Sequence, residues 1–232
     1  MTPLYLLSGG AANGIVSQLE SRFAADTGYR IAGTFSAVGV MRDQLLAGVP
    51  CDVAILTATL IAQLEASGHV VTGSARKLGT VKTGVAVKTG ETQPAVGTPE
   101  TLKAALLGAR GIYFPDPVKA TAGIHFMNVM QQLGIDTEVA SRLRPFPNGA
   151  TAMGEMAKST ESGLLGCTQI TEILYTPGVQ LVAPLPQAFE LATVYTAGIS
   201  ARAGNPQAAA ALIALLSGLE AAPLRHTCGF ED

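Results

Sequence analysis

The segment LYLLSGGAANGI, residues 4–15, decides the fold class, because it has the pattern of a buried strand, a tight turn and the start of a helix. Leu19 and Phe23 continue this helix at helical spacing, and Gly28 ends it. The same pattern recurs twice before residue 70, with strands at 30–35 and 53–56 and helices at 38–47 and 58–66. Successive βα units predict a mostly parallel sheet with helices on both faces, which is an α/β fold.

A second βα series follows a connection rich in Pro, Gly and Thr at residues 89–100. Its predicted elements are the strands 111–114 and 163–169 and the helices 121–133, 150–159 and 170–174. Further predictions are strands at 83–88, 179–184 and 192–199 and a final helix at 207–217. We therefore expect two βα lobes with mixed, mostly parallel sheets and a ligand cleft at the hinge. Lobe 1 is discontinuous, residues 1–81 plus 194–232, and lobe 2 is residues 82–193.

The composition limits the classes of ligand. Hydrophobic residues make up 48% of the 232 residues and charged residues only 14%, so the chain has ample apolar surface to bury. The 15 basic and 17 acidic residues form no long run of one sign, which excludes a nucleic-acid partner. Trp is absent and aromatic residues are 5%, which argues against a base-stacking platform or an aromatic sugar cleft. The expected ligand is small and polar.

The cysteines, Cys51, Cys167 and Cys228, are too few and too scattered for a disulfide framework, so at least one thiol is expected to be free. No Cys/His spacing suggests a metal site, and we expect no cofactor. No stretch approaches the roughly 20 apolar residues of a membrane span, so no membrane insertion is expected. The opening MTPLYLLSGG lacks a basic leader region. The expected location is cytoplasmic as written, or periplasmic if a leader has been removed.

The loops that follow the predicted strands are the expected binding site, because ligands of doubly wound sheets bind beyond the carboxyl ends of the strands. The candidates in these loops are Ser8, Gly9, Asn13, Ser36, Ala37, Thr57, Lys119, Thr121, Ala122 and Gly123. Helix N-termini with small hydroxyl or glycine residues favour an anion, since they offer unpaired N–H groups. The alternative for Ser8, Ser36 and Thr121 is a structural one, as N-caps. Lys119 either contacts a ligand carboxylate or is a solvated loop residue.

Several long segments resemble the solute-binding proteins of molybdate-type ABC importers, which have the type 2 periplasmic-binding fold. These segments are LYLLSGGAANGI, residues 35–70, DPVKATAGIHF at 116–126, residues 164–187 and TVYTAGIS at 193–200. The resemblance covers essentially the whole chain. It implies that the protein binds a small oxyanion or carboxylate in its cleft and, if exported, that it has an ABC permease as partner.

The resemblance also implies roles for particular residues. Ser8 and Ser36 match two serines that hold a tetrahedral oxyanion in the molybdate binders, and the loops at 121–123 and 148–150 match those that supply backbone amides. Asn148 and Gly149 thereby join the candidate ligand-binding residues.

The molybdate binders also hold the oxyanion with a tyrosine hydroxyl, and this sequence has no tyrosine at the matching position. Its place falls to Gln169, or to Thr168 if the register slips by one residue. Glutamine offers both a donor and an acceptor where the oxyanion binders use a hydroxyl donor, which favours an organic carboxylate as ligand.

An enzymatic alternative rests on His125, which follows the loop 116–120 and is the side chain best suited to proton transfer near neutral pH. Relatives of the molybdate-type binders include aconitate isomerase. The alternative function is therefore an isomerase that acts on a small polycarboxylate such as aconitate by allylic proton transfer, with His125 as the catalytic residue. His125 is otherwise a surface or packing histidine.

Overall fold

The computed structural model describes all 232 residues, 1–232. The strands are β1 (Thr2–Gly9), β2 (Tyr29–Ser36), β3 (Val53–Thr57), β4 (Arg76–Lys88), β5 (Gly111–Pro115), β6 (Leu143–Phe146), β7 (Leu164–Gln169), β8 (Val179–Pro184) and β9 (Ala192–Ile199). The helices are α1 (Asn13–Thr27), α2 (Val38–Leu46), α3 (Ala58–Ala66), α4 (Pro99–Gly108), α5 (Thr121–Gln132), α6 (Asp136–Val139), α7 (Gly149–Lys158), α8 (Ile170–Tyr175), α9 (Pro206–Ser217) and α10 (Ala222–Thr227).

The chain forms two compact units. Unit 1 is Met1–Val81 with Thr193–Asp232, and unit 2 is Lys82–Ala192. In unit 1, β1 lies between β2 and β3 and is parallel to both, while β9 is antiparallel to β3. In unit 2, β5 lies between β6 and β7 and is parallel to both, while β4 is antiparallel to β7 and to β8. These mixed sheets, each with a parallel centre, confirm the predicted α/β class.

Each unit has a hydrophobic core of its own. In unit 1, apolar side chains of β1 and β3 pack against α1 and α9, with Phe23, Ile55 and Leu212 among the buried residues. In unit 2, Phe114 and Phe126 make an edge-to-face contact between β5 and α5, with ring centroids 5.7 Å apart. The helical spacing and the apolar strands identified in the sequence are therefore the features that place each helix on its sheet.

Three elements differ from the sequence prediction. β4 begins at Arg76 rather than at residue 83, because its polar first half is held by pairing, including a bridge between Thr80 and Glu231. The helices α6 and α10 were not predicted; α10 contains Pro223 in its first turn. β4 and α10 are completed by tertiary contacts, which local sequence patterns do not indicate.

No single helix is long and apolar enough to cross a membrane; one bent pair, Pro206–Ser217 with Leu219–Thr227, meets that test on length and composition alone. The three cysteines are all free and buried. Burial raises the pKa of the Cys51 thiol to about 12 and the pKa of Cys167 further still.

Candidate functional site

The carboxyl ends of the parallel strands in unit 1 bring its predicted site residues to one edge. Gly9 is paired with Ser36 across β1 and β2, and Ser8 is paired with Ile55 in β3, which ends at Thr57. A helix or helical turn begins directly after each of these strands. The edge therefore combines small polar residues with helix N-termini, as the sequence indicates.

The hydroxyl groups at this edge have different environments. Thr57 is an N-cap, since its side chain accepts a hydrogen bond from the Leu60 N–H at 3.3 Å. Ser8 is fully buried and donates to the Gly9 carbonyl oxygen at 2.8 Å. Ser36 is half-buried and its hydroxyl makes no hydrogen bond within the protein. The N-cap interpretation thus fails for Ser8 and Ser36, and Ser36 keeps its hydrogen-bonding capacity.

The remaining predicted residues of unit 1 flank these hydroxyls. Ala37 is the N-cap of α2 and provides no side-chain cap. Asn13 is the first residue of α1, and its Oδ1 accepts from the Ser17 hydroxyl at 3.2 Å. The first N–H groups of α2 are consequently without a side-chain acceptor.

In unit 2 the loop after β5 wraps tightly onto the start of α5. The Asp116 carboxylate accepts hydrogen bonds from the N–H groups of Val118 and Lys119, at 2.7 and 2.8 Å. A Cβ atom at Gly123 would overlap the carbonyl groups of Pro115 and Asp116, so only glycine lets the helix begin so close to the strand. The loop itself is therefore built to fix the position of the α5 N-terminus.

The first turn of α5 carries the predicted residues Thr121, Ala122 and Gly123. Its N-cap is Ala120, which offers no side-chain acceptor, so Thr121 is not an N-cap. The N-terminus of this helix of 12 residues keeps the partial positive charge that attracts anions. Lys119, just before it, has an exposed side chain.

The N-terminus of α7 is in a different situation, because a carboxylate of the protein already occupies it. Asn148 is the N-cap, with its Oδ1 accepting from Thr151 N–H at 2.8 Å. The Glu172 carboxylate accepts hydrogen bonds from the backbone N–H groups of Gly149 and Ala150. A Cβ atom at Gly149 would overlap Glu172 Oε2, so this close approach requires glycine.

Glu172 also binds its own helix. Its carboxylate accepts from the backbone N–H of Gln169, the N-cap of α8, and from the Thr168 hydroxyl at 2.5 Å. Burial raises the pKa of Glu172, while these hydrogen bonds and those from α7 lower it in part. One buried side chain thus joins the N-termini of α7 and α8.

Gln169 is the most unusual of the predicted residues. Its side chain is 3% exposed, yet neither Nε2 nor Oε1 has a hydrogen-bond partner in the protein. Thr83, directly opposite in β4, and Thr171 are also buried with unpartnered hydroxyls. Unpaired buried polar groups typically destabilise a fold by about 1–3 kcal/mol each. Such a concentration at the carboxyl end of β7 is typical of a place where a ligand completes the hydrogen bonds.

His125 lies in the second turn of α5 and is half-buried. Its Nε2 is 2.8 Å from the backbone carbonyl oxygen of Phe189. A carbonyl oxygen only accepts, so Nε2 carries the proton and Nδ1 is the basic nitrogen of the neutral ring. The imidazole is held in a defined orientation and tautomer.

A concavity of unit 1 lies away from these residues. A cavity of about 440 Å³ is lined by Asp52, His69 and Arg202 and by loops before β3 and after β9. These loops lie at the opposite ends of the strands from Ser36 and Thr57. None of the predicted site residues lines this cavity.

The sequence interpretation missed Thr83, Thr171 and Glu172. The spacing from Gln169 to Glu172 is a signal that was present, because an acidic residue three positions after an N-cap is the capping-box arrangement. The contact of Glu172 with α7 had no such local signal. No group of three or more His, Cys, Asp or Glu side chains is arranged to hold a metal ion.

Comparison with known proteins agrees with this description. Over its whole length the chain is 24% identical to aconitate isomerase from Pseudomonas sp, of which it covers 88%. Its fold is similar to that of the periplasmic molybdate-binding protein of Azotobacter vinelandii, with a TM-score of 0.80, 19% identity and 98% of each chain covered. It is also similar to the sulfate-binding protein SubI from Mycobacterium tuberculosis H37Rv, with a TM-score of 0.73, 18% identity, and 99% and 86% of the two chains covered.

The resemblance identified in the sequence is therefore confirmed, as is the type 2 periplasmic-binding fold. A family model, described as bacterial extracellular solute-binding protein, matches residues 4–231. The chain belongs to the bacterial extracellular solute-binding protein family.

Proposed function

We propose that this protein binds a small anion, an oxyanion or a carboxylate, as a solute-binding protein. The observation that carries the proposal is Gln169, whose buried side-chain amide makes no hydrogen bond within the protein at the carboxyl end of β7. The N-terminus of α5, with Thr121, Ala122 and Gly123, supplies N–H groups and a partial positive charge in the same unit. Similarity to molybdate- and sulfate-binding proteins supports the choice of an anion.

Further ligand contacts in this proposal come from residues at strand ends and at the helix starts that follow them. In unit 1 they are Ser8, Gly9, Asn13, Ser36, Ala37 and Thr57, and in unit 2 they are Lys119, Asn148 and Gly149. Ser36 is the strongest of the unit 1 candidates, because its hydroxyl makes no hydrogen bond within the protein. Gly149 contributes to the ligand contact only through its position at the start of α7, because its N–H is already donated to Glu172.

Thermal unfolding with added molybdate, sulfate and cis-aconitate tests this proposal. A ligand present at 100 times its Kd stabilises the folded state by about 2.7 kcal/mol, which raises the melting temperature by several degrees. Gln169→Leu and Ser36→Ala should each reduce that shift, whereas Ser21→Ala, on an exposed face of α1, should leave it unchanged. If none of the anions raises the melting temperature, the anion-binding proposal is wrong.

The family supports a second element of the proposal, delivery of the ligand to an ABC permease outside the cytoplasm. Fractionation of cells that carry the native gene tests the location. Recovery in the periplasmic or extracellular fraction is expected. Retention with cytoplasmic markers would contradict this element and leave the anion-binding proposal unaffected.

Isomerisation of aconitate is the second candidate function, favoured by similarity to aconitate isomerase over the whole chain. In this candidate, Nδ1 of His125 removes an allylic proton from cis-aconitate. The double bond shifts toward the deprotonated carbon, and the proton is delivered to the formerly vinylic carbon at the other end of the allylic system, so that no proton is gained or lost overall. The bond from Nε2 to the Phe189 carbonyl oxygen would hold the ring in the required tautomer.

Proton NMR in D₂O distinguishes the two candidates. Conversion of cis- to trans-aconitate with deuterium entering the allylic position would establish the isomerase. His125→Ala should then lose at least about a hundredfold in rate, the usual contribution of a general base, while the thermal shift with aconitate remains. Ligand stabilisation without conversion leaves the protein a binder.

A further inference from the structure

Glu172 occupies the position in which a bound anion would accept hydrogen bonds from the N–H groups of α7. Its carboxylate, in a residue 6% exposed, accepts from Gly149, Ala150 and Gln169 N–H and from the Thr168 hydroxyl. These donors are satisfied within the protein. A ligand oxygen near them meets the carboxyl oxygens of Glu172 rather than unpaired donors, so this helix N-terminus has no N–H group left for an anion.

The polar groups that are left over close to Glu172 are neutral. Gln169 offers two N–H donors and one acceptor, and the hydroxyls of Thr83 and Thr171 each donate and accept. An ionised oxyanion such as molybdate only accepts hydrogen bonds, so it would leave Gln169 Oε1 unsatisfied. A hydroxyl or amide group can accept from Nε2 and donate to Oε1.

We propose that Glu172 and Gln169 together determine specificity, by selecting a ligand that places an uncharged hydroxyl or amide group at the carboxyl end of β7 in addition to its anionic group. This inference rests on the proposed anion-binding function and narrows it to hydroxy- or amide-bearing carboxylates. Glu172 acts by occupying the N-terminus of α7 with its carboxyl group, and Gln169 acts by direct hydrogen bonds.

Isothermal titration with malate, succinate and molybdate tests both residues. Malate and succinate differ only in a hydroxyl, and one well-formed hydrogen bond changes affinity by about tenfold. Wild-type protein should therefore prefer malate to succinate by about tenfold. Gln169→Leu should abolish that preference, while Gln131→Leu, an exposed glutamine of α5, should keep it.

The role of the Glu172 carboxyl group is tested by Glu172→Gln, which keeps the size of the side chain. The amide has one acceptor oxygen fewer for the N–H groups of α7, so an oxyanion can accept from them, and the affinity for molybdate should rise by about tenfold relative to malate. The matched control is Glu155→Gln on α7, because Glu155 pairs at 2.8 Å with Lys158 near the surface, and its removal should leave the ratio unchanged.

The outcomes separate the inference from the function on which it rests. If the wild type binds anions but folded Glu172→Gln keeps the wild-type ratio of molybdate to malate affinity, the role of Glu172 is refuted. If Gln169→Leu keeps the preference for malate, the role of Gln169 is refuted, and this variant decides the matter should Glu172→Gln fail to fold. Wild-type protein that binds none of the three anions overturns the proposed function and, with it, this inference.

Discussion

Asp52 shows how much one buried carboxylate can organise in unit 1. It is 2% exposed, and its two oxygens accept from the backbone N–H groups of Tyr5 and Asn205, at 2.8 and 3.0 Å. Asp52 thereby fixes the start of β3 against β1 and against the N-cap of α9. Neither partner is near Asp52 in sequence, so no local pattern indicates this role.

We expect Asp52→Asn to destabilise the protein by about 2 kcal/mol, since the amide NH₂ group would face a backbone N–H and leave at least one donor unpaired. Urea denaturation of the variant measures the change in the free energy of unfolding. Asp26→Asn, with a side chain 61% exposed, is the matched control and should change stability by less than about 0.5 kcal/mol. Equal stability of the two variants would refute this account of Asp52.

The candidate site was predictable from the sequence to the extent that its residues follow strands. Ser36 and Thr121 are where a βα unit places polar residues, at strand ends and helix starts. Glu172 was not predictable in its full role, because its contacts with Gly149 and Ala150 join positions far apart in the chain. The lack of a hydrogen-bond partner for the buried amide of Gln169 could not be predicted from the sequence either, because burial without a partner is a property of packing and not of residue type.

At the scale of elements, the junction of β5 with α5 depends on Gly123. A Cβ atom there would overlap the backbone carbonyl groups of Pro115 and Asp116, which have little freedom to move. Gly123→Ala should therefore destabilise the protein by about 2–4 kcal/mol, opposite in sign to the usual gain of helix propensity from Gly to Ala. Gly154→Ala, in α7 where nothing lies within 4 Å of an added Cβ, should instead be neutral or slightly stabilising by the same denaturation assay.

The link between α7 and α8 through Glu172 makes the stability of the protein depend on pH. Because burial raises its pKa, the folded protein retains the Glu172 proton at pH values where the unfolded chain, with an ordinary Glu pKa of about 4.3, has lost it. The stability contributed by this group is present at low pH and is lost as pH rises through the interval between the ordinary and the raised pKa. Glu172→Gln removes the titration.

Unfolding free energies measured at several pH values check this sign. The free energy of unfolding of the wild type minus that of Glu172→Gln should be constant below pH about 4. It should decrease as pH rises above that value, because only the wild type loses stability. The same difference for Glu155→Gln should stay flat. A wild-type advantage that grows with pH would mean that the hydrogen bonds to Glu172 outweigh its burial.

For the whole molecule, the repeated order of strand, turn and helix was sufficient to predict the fold class. The order repeats in both series of βα units, and the spacing of their apolar residues can be read directly from the sequence. The helix Ala58–Ala66 and the strands Val179–Pro184 and Ala192–Ile199 have the predicted bounds. The polar first half of β4, from Arg76, was missed because pairing rather than composition holds it. Patterns thus reveal the parts whose own residues bury an apolar face, and they miss the parts stabilised by partners.

The division of the chain predicts which part folds alone. Unit 2 is continuous, residues 82–192, and has its own core around Phe114 and Phe126, so it meets the requirements of an independent domain. Expressed by itself it should give a dispersed NMR spectrum and a cooperative unfolding transition. Residues 1–81 alone should not fold, because they lack β9 and α9, which supply Tyr195 and Leu212 to the core of unit 1. An unfolded 82–192 fragment would show that the core of unit 2 is insufficient without the rest of the chain.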